Sequence, residues 1–382
     1  MTRPAVHFME MIFRGGGVVA SRSGTCRQTT EPNMPDIDFQ RDIDRLCIVM
    51  LSAIGDAVHV LPVANALKRA KPQVSITWLI QPVPHILVRD HPAIDEFVMF
   101  DRKRGLAVLD SYRNTLGEIR KTRFDLVIGL QVYFKAGLLT AGIRGDAKLG
   151  FDRARARDLN WLFTTHRIPP HPVQHVQDQY FEFLDYLGVD HEPVEWGITL
   201  SDEERRRQRE FFSAFERPVC AVVVGTSKPE KNWPVERYAQ LADQLDRDFE
   251  FQVILLGGPS PVEQDAAAQI GRLCETSPFN ALGNDLRRLL YILDGATLAV
   301  SPDTGPFHIA RAIETPVVGL YGYTNPKRTG PYRKFTDLVV DGYQRYPGEE
   351  YPVTMQYRDG MKRITVDMVL EKVLLARDRY LP

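Results

Sequence analysis

The chain has 382 residues, more than a single core usually organises, so two domains are expected. Hydrophobic residues make up 44% and charged residues 25%, a globular balance that excludes a disordered or fibrous chain. The formal charge is −1, and no apolar stretch nears the roughly 20 residues that cross a bilayer, so no membrane-spanning helix is expected. Four cysteines, Cys26, Cys47, Cys220 and Cys274, lie far apart, and two sit inside apolar runs, so neither a disulfide framework nor a zinc site is read. Residues 1–44 fit no element. Their short apolar patch is broken by Glu10 and Arg14, against a secretory signal, and Gly15 to Gly17 follow no complete strand, against a dinucleotide fingerprint. A disordered extension, or an over-extended start upstream of Met34, is the expectation.

From Leu46 onward, short Val/Ile/Leu runs alternate with amphipathic ones. "LCIVML" (46–51), "VSITWLI" (74–80), "FVMF" (97–100) and "FDLVIGL" (124–130) are continuous apolar runs of strand length, as in a parallel sheet covered on both faces. Residues 57–70 and 106–122 between them have helical spacing, which gives a repeated βαβ pattern. The pattern lapses through an arginine-rich stretch, 144–172, and a helix over 175–189. It restarts at "VCAVVV" (219–224), "FQVILLGG" (251–258), "ATLAVSPDTG" (296–305) and "PVVGLYG" (316–322). The charged "SDEERRRQRE" marks a boundary near 195–215. The expected organisation is a first Rossmann-like domain over 45–200 and a second over 201–382, with the last helix a candidate to pack back on the first.

Ligands of such sheets bind outside the carboxyl ends of the strands, which selects four turns. "LSAIGDAVHVLP" (51–62) sets Asp56 where a carboxylate either caps a helix or does chemistry. "SPDTGPFHIA" (301–310) enters a helix with Asp303 or Thr304 as N-cap, Gly305 for close backbone approach and Pro306 at the first turn, leaving N–H groups and the dipole to an anion. His308 falls one turn after Thr304, on a face that can look into the cleft or serve only structure. "VGTSKPEKNWP" (224–234) offers Thr226, Ser227, Lys228 and Lys231 to phosphate oxygens, or is a solvated lysine loop. "LLGGPS" (255–260) offers the bare backbone of Gly257 and Gly258 to a nucleoside. Three such turns on one sheet edge favour a nucleotide, and no P-loop stretch is present. "DRD" (246–248) reads as a solvated helix end, so no metal and no cofactor is expected.

These stretches, with "SPDTGPFHIARAIETPVVGLYGYTNPKRTGPY" and "GFDRARARDLNWLF", resemble the glycosyltransferase family 9 heptosyltransferases of lipopolysaccharide core assembly, over roughly residues 45–380. The resemblance implies a GT-B fold, two Rossmann-like domains facing across a cleft, with the ADP-heptose donor held mainly by the second. It also implies metal-independent inversion at the anomeric carbon. Carried over, the catalytic aspartate falls on Asp56. The diphosphate-binding groups fall on Thr226, Ser227, Lys231, Thr304 and Gly305, with Asp303 and His308 beside the donor and Glu263 as a ribose-binding glutamate. The family often has a basic residue where this chain has Met50, so any contact made there must come from another group.

The chemistry has the same demands: a base on the acceptor side and charge neutralisation on the leaving-group side. Residues 101–170 hold 14 Lys and Arg against 7 Asp and Glu, a surface suited to an anionic, lipid-anchored acceptor at the cytoplasmic face of the inner membrane, or a solvated face, above all at "RARAR" (153–157). Nucleic acid is disfavoured because no aromatic platform or basic helix accompanies these arginines. The alternatives are another GT-B nucleotide-sugar enzyme, including an epimerase, and a non-catalytic homologue that binds donor without consuming it.

Overall fold

The computed structural model describes residues 37–103 and 105–381, so the reading of residues 1–36, glycines 15 to 17 included, lies outside it, whereas residues 37–44, expected to belong to the same extension, hold a short helix with Phe39 and Ile43 buried in the core. The first half runs α1 (Phe39–Asp42), β1 (Arg45–Val49), α2 (Ile54–Ala70), β2 (Ser75–Ile80), α3 (Pro82–Val88), β3 (Glu96–Met99), α4 (Val108–Ile119), β4 (Phe124–Gly129), α5 (Phe134–Gly142), β5 (Gly145–Gly150), β6 (His166–Arg167) and α6 (Val176–Tyr186). The second runs α7 (Asp202–Phe212), β7 (Val219–Val223), α8 (Val235–Arg247), β8 (Gln252–Leu256), α9 (Pro261–Leu273), β9 (Phe279–Asn280), α10 (Leu286–Gly295), β10 (Leu298–Pro302), α11 (Gly305–Ala312), β11 (Val317–Tyr321), α12 (Pro326–Thr329), β12 (Val339–Asp341) and α13 (Val366–Arg379).

Each half holds one six-stranded sheet, ordered β3-β2-β1-β4-β5-β6 and β12-β11-β10-β7-β8-β9. Every pairing is parallel. Counted from its own first strand, the second sheet repeats the order of the first, so both are doubly wound Rossmann-like sheets. The apolar runs are continuous because both faces are covered. Leu46, Ile48 and Met50 enter one core cluster, and Cys47, Val49 and Leu51 the other.

Several expectations are corrected. The arginine-rich stretch 144–172 contains two strands, β5 and β6. β6 is the edge strand and two residues long, too short to carry a periodic signal, and β5 beside it sends few apolar side chains inward. "SDEERRRQRE", at the expected boundary, folds as α7. Ser201 caps that helix: its N–H donates to Glu204 at 2.8 Å, and its Oγ accepts from the Glu204 N–H at 3.3 Å. Glu204 then receives Arg287 of α10 at 2.5 and 2.6 Å, and Arg287 also donates to the Leu87 carbonyl of α3 at 3.0 Å. The last helix, α13, packs on α8, β11 and β12 of its own half rather than on the first domain. "RARAR" is only partly a solvated face. Arg155 is buried between Asp152 and Glu182, while Arg153 lies exposed over Trp161 at 4.4 Å. Asp246 of "DRD" pairs with Arg217 at 2.7 Å at the surface.

Candidate functional site

In this strand order the crevice opens where successive connections leave to opposite sides of the sheet, beside β1 and β4 in the first half and β7 and β10 in the second. The Asp56 turn follows β1. The Thr226 and Asp303 turns follow β7 and β10. Gln131, just past β4, braces the first turn: it accepts from the Leu51 N–H at 3.1 Å and donates to the Ser52 carbonyl at 2.8 Å.

Asp56 occupies the third position of α2, and one carboxylate oxygen accepts from the Ala53 N–H at 2.8 Å. The capping role is therefore present, but it uses one oxygen, and among the described residues the other accepts no hydrogen bond. Burial pushes the carboxyl pKa up. The Ala53 bond and the charges of His308 and Arg328 oppose that rise, and Asp303 adds to it. Met50, which directly follows β1, is 1% exposed, and its carbonyl accepts from the Trp78 indole N–H at 3.0 Å. It is a core residue, and beside His308 the cation whose field reaches Asp56 from the second half is Arg328, whose buried Nε has no partner among the described residues.

The second half gathers its candidates around Asp303, at the carboxyl end of β10. Its carboxylate accepts from Lys231 Nζ at 2.8 Å, Thr324 at 2.6 Å and Thr329 at 3.3 Å, and meets His308 Nε2 at 3.2 Å; Lys231 also reaches the Asp303 carbonyl at 2.9 Å. Burial alone would raise this pKa, but the His308 bond and the Lys231 charge outweigh it and hold the carboxyl well below the usual range. Thr304 is the N-cap of α11, with no side-chain cap bond; Pro306 has no N–H and the Phe307 N–H donates to the Thr304 carbonyl at 3.1 Å, so at the first turn the Gly305 N–H is left to another acceptor. Thr226 is buried and braces its own loop: its N–H and hydroxyl both reach Asn232 Oδ1, at 2.9 and 3.0 Å, and the hydroxyl also reaches the Lys228 carbonyl at 2.6 Å. Ser227 is exposed beside it. Glu263 accepts from the Gly258 N–H at 2.8 Å and the Ser260 hydroxyl at 2.6 Å, next to a cavity of about 140 Å³ lined by Gly257, Gly283, Asn284 and Arg288.

The two turns meet. A Cβ on Gly55 would lie 2.7 Å from His308 Cδ2, and one on Gly305 2.9 Å from Ile54, so the starts of α2 and α11 close on each other and only glycine fits at either contact. Asp56 and the Lys231–Asp303–His308 cluster thus flank one junction. Ser227, Gly257 and Glu263 stand on neighbouring turns of the second sheet, and among the described residues none of them hydrogen-bonds Asp56.

Sequence reasoning missed several members. His59, one turn after Asp56 on α2, packs its ring against His308 with centroids 4.8 Å apart, and Gln177 of α6 fixes it at Nδ1 by a 2.9 Å bond. Its pKa is pushed well down, first by burial and then by His308. The three-residue spacing from Asp56 was a usable signal. His175, whose pKa burial lowers to about 4, bonds the Gly330 carbonyl at 3.0 Å. Nothing in the local sequence marks His175, Thr324, Thr329 or Arg328, because their roles come from the tertiary fold.

The sequence model of the family described as Glycosyltransferase family 9 (heptosyltransferase) matches residues 113–357. The lipopolysaccharide core heptosyltransferase OpsX of Haemophilus influenzae is 33% identical over 308 residues, which cover 80% of this chain and 86% of OpsX. The chain belongs to glycosyltransferase family 9. This family 9 glycosyltransferase has the GT-B fold of solved relatives. A glycosyl transferase family 9 protein from Veillonella parvula superposes with a TM-score of 0.74 at 23% identity, covering 89% of this chain and 98% of that one. The E. coli heptosyltransferase WaaC with ADP-2-deoxy-2-fluoro heptose gives 0.67 at 21% identity, covering 87% and 99%.

Proposed function

We propose that this heptosyltransferase-family enzyme moves a heptose from ADP-heptose to the lipopolysaccharide inner core, with inversion and without a metal, at the cytoplasmic face of the inner membrane. The observation that carries the reading is the junction of the two helix starts, with Asp56 on one and the Lys231–Asp303–His308 cluster on the other. The likeness to OpsX, a lipopolysaccharide core heptosyltransferase, and to WaaC with ADP-2-deoxy-2-fluoro heptose and with ADP, supports the donor and acceptor classes.

In this mechanism residues 45–200 hold the acceptor and 201–382 the donor. Asp56, its basicity raised by burial, takes the proton of the acceptor hydroxyl through its unpaired oxygen. The hydroxyl oxygen forms the new bond to the anomeric carbon as the bond to the diphosphate breaks on the opposite face, which inverts the centre. Lys231 has one N–H beyond the two spent on Asp303; with the Gly305 N–H at the start of α11, Thr304 and Ser227, it neutralises the leaving diphosphate. Asp303 and His308 orient that ammonium. Glu263 and Gly257 receive the nucleoside at the 140 Å³ cavity. Charge neutralisation by these groups fills the role a divalent cation would otherwise take, so EDTA should leave the rate nearly intact.

The test is a transfer assay with ADP-heptose and UDP-sugars on a heptose-deficient inner-core acceptor, with the anomeric configuration of the product read by NMR. Transfer from ADP-heptose with inversion supports the reading. Turnover of a UDP-sugar alone, interconversion of free nucleotide sugar, or donor binding without consumption would each replace it.

A further inference from the structure

We propose that the outer edge of the first half is a docking face for an anionic lipid bilayer. Six large apolar side chains stand in water there: Leu106 is 87% exposed, Leu109 65%, Leu159 57%, Leu162 56%, Phe134 42% and Leu138 38%. They belong to neighbouring elements. The Tyr112 hydroxyl of α4 donates to the Lys135 carbonyl at 3.2 Å, joining α4 to the start of α5, on which Phe134 and Leu138 are one turn apart. The Phe134 ring meets Phe163 edge-on at 5.3 Å, and Asn160 donates to the Tyr133 carbonyl at 2.8 Å, joining α5 to the short turn that carries Leu162. Leu159 holds a left-handed backbone, φ 60°, uncommon for a branched residue, yet its side chain is exposed, so no core packing accounts for it. A cluster of this kind on a soluble face marks a contact surface.

Charge selects the occupant. Residues 101–170 carry twice as many Lys and Arg as Asp and Glu, 14 against 7, and Lys103, Arg113, Lys135, Arg153 and Arg167 are exposed around the apolar side chains. Apolar groups ringed by cations fit an interfacial site on acidic headgroups. A second copy fits less well, because a two-fold contact would set these cations against each other. The face also adjoins the site. The Arg157 N–H donates to the Val132 carbonyl at 3.0 Å, and Gln131, beside it, braces the Asp56 turn, so a lipid-anchored acceptor would be delivered next to Asp56. This role rests on the proposed acceptor, but the face itself is tested without turnover.

The experiment is flotation with phosphatidylglycerol/phosphatidylethanolamine vesicles and with phosphatidylcholine vesicles, for the wild type, the triple variant Leu109→Ser, Phe134→Ser, Leu162→Ser, and the pair Lys135→Glu, Arg153→Glu. Turnover is measured in parallel on a delipidated, water-soluble acceptor. The wild type is expected to float with the anionic vesicles and less so at high salt. The triple variant should partition about tenfold or more weakly, and the charge pair should lose its preference for phosphatidylglycerol, with both keeping normal turnover on the soluble acceptor. A wild type that does not float, a triple variant that floats as well as wild type, or light scattering showing a dimer that the triple variant splits would overturn the proposal. Vesicle binding with no transfer to any acceptor would support the docking face and count against the proposed reaction instead.

Discussion

Replacing Lys231 with Ala removes the ammonium that holds Asp303 and, in the proposed mechanism, meets the diphosphate. The two side chains are 17% and 7% exposed, so the pair is nearly dry. Stripping a partner from a buried pair costs about 3–5 kcal/mol when nothing replaces it. Asp303 keeps His308, Thr324 and Thr329, so the loss should be nearer that of one charged hydrogen bond, about 1.5–3 kcal/mol. For domains of this size that lowers Tm by about 2–4 °C per kcal/mol. ADP should lose a similar bond, which weakens its Kd by roughly 10- to 150-fold. Scanning calorimetry and titration with ADP give both numbers, and Lys231→Arg, which keeps the charge, should recover part of each. A lowered Tm with unchanged ADP affinity would refute the diphosphate role and leave Lys231 as a brace for Asp303.

Gly55→Ala should raise the KM for donor, because its Cβ would fall 2.7 Å from His308 Cδ2 and force that ring off Asp303; an unchanged KM in steady-state kinetics would contradict the closed junction. Arg287→Met should cost about 3–5 kcal/mol in urea unfolding, since it strands Glu204, whose carboxyl is held down to about 2 chiefly by the Arg287 bond. A depressed carboxylate stabilises fully above its ordinary pKa, about 4.3, and loses that contribution as pH falls toward 2, so the gap between wild type and variant should narrow across that window. A gap independent of pH would count against it. For the wild type, the acid limb of kcat/KM should have its midpoint above about 3.9, the ordinary aspartate value, because burial raises Asp56; a limb at or below that value would show that another group governs it.

The continuous apolar runs made the two parallel sheets legible, since burial on both faces removes polar positions from the inner strands. β5 and the edge strand β6 lack that burial and left no such trace. The Asp56, Lys231, Asp303 and His308 positions were legible because helix starts at the carboxyl edge of a sheet combine turn residues with chemistry-bearing ones in a short span. Their mutual arrangement was not. That His59 packs on His308, and that Thr324 and Thr329 bond Asp303, depends on contacts between segments far apart in the chain. Met50 shows the converse: the substitution looked like a lost contact, whereas the structure makes it part of the core.

The central claim is that Asp56 is the base, and the substitution that isolates it is Asp56→Asn, measured as the single-turnover rate of transfer from ADP-heptose to the inner-core acceptor. An Asn side-chain oxygen still accepts the Ala53 N–H, so the cap, the Tm and the ADP affinity should stay near wild type. The proton acceptor is lost, and the rate should fall by roughly 10²- to 10⁴-fold. Transfer by the Asn variant at a near-normal rate would contradict the account and leave Asp56 as a helix cap alone.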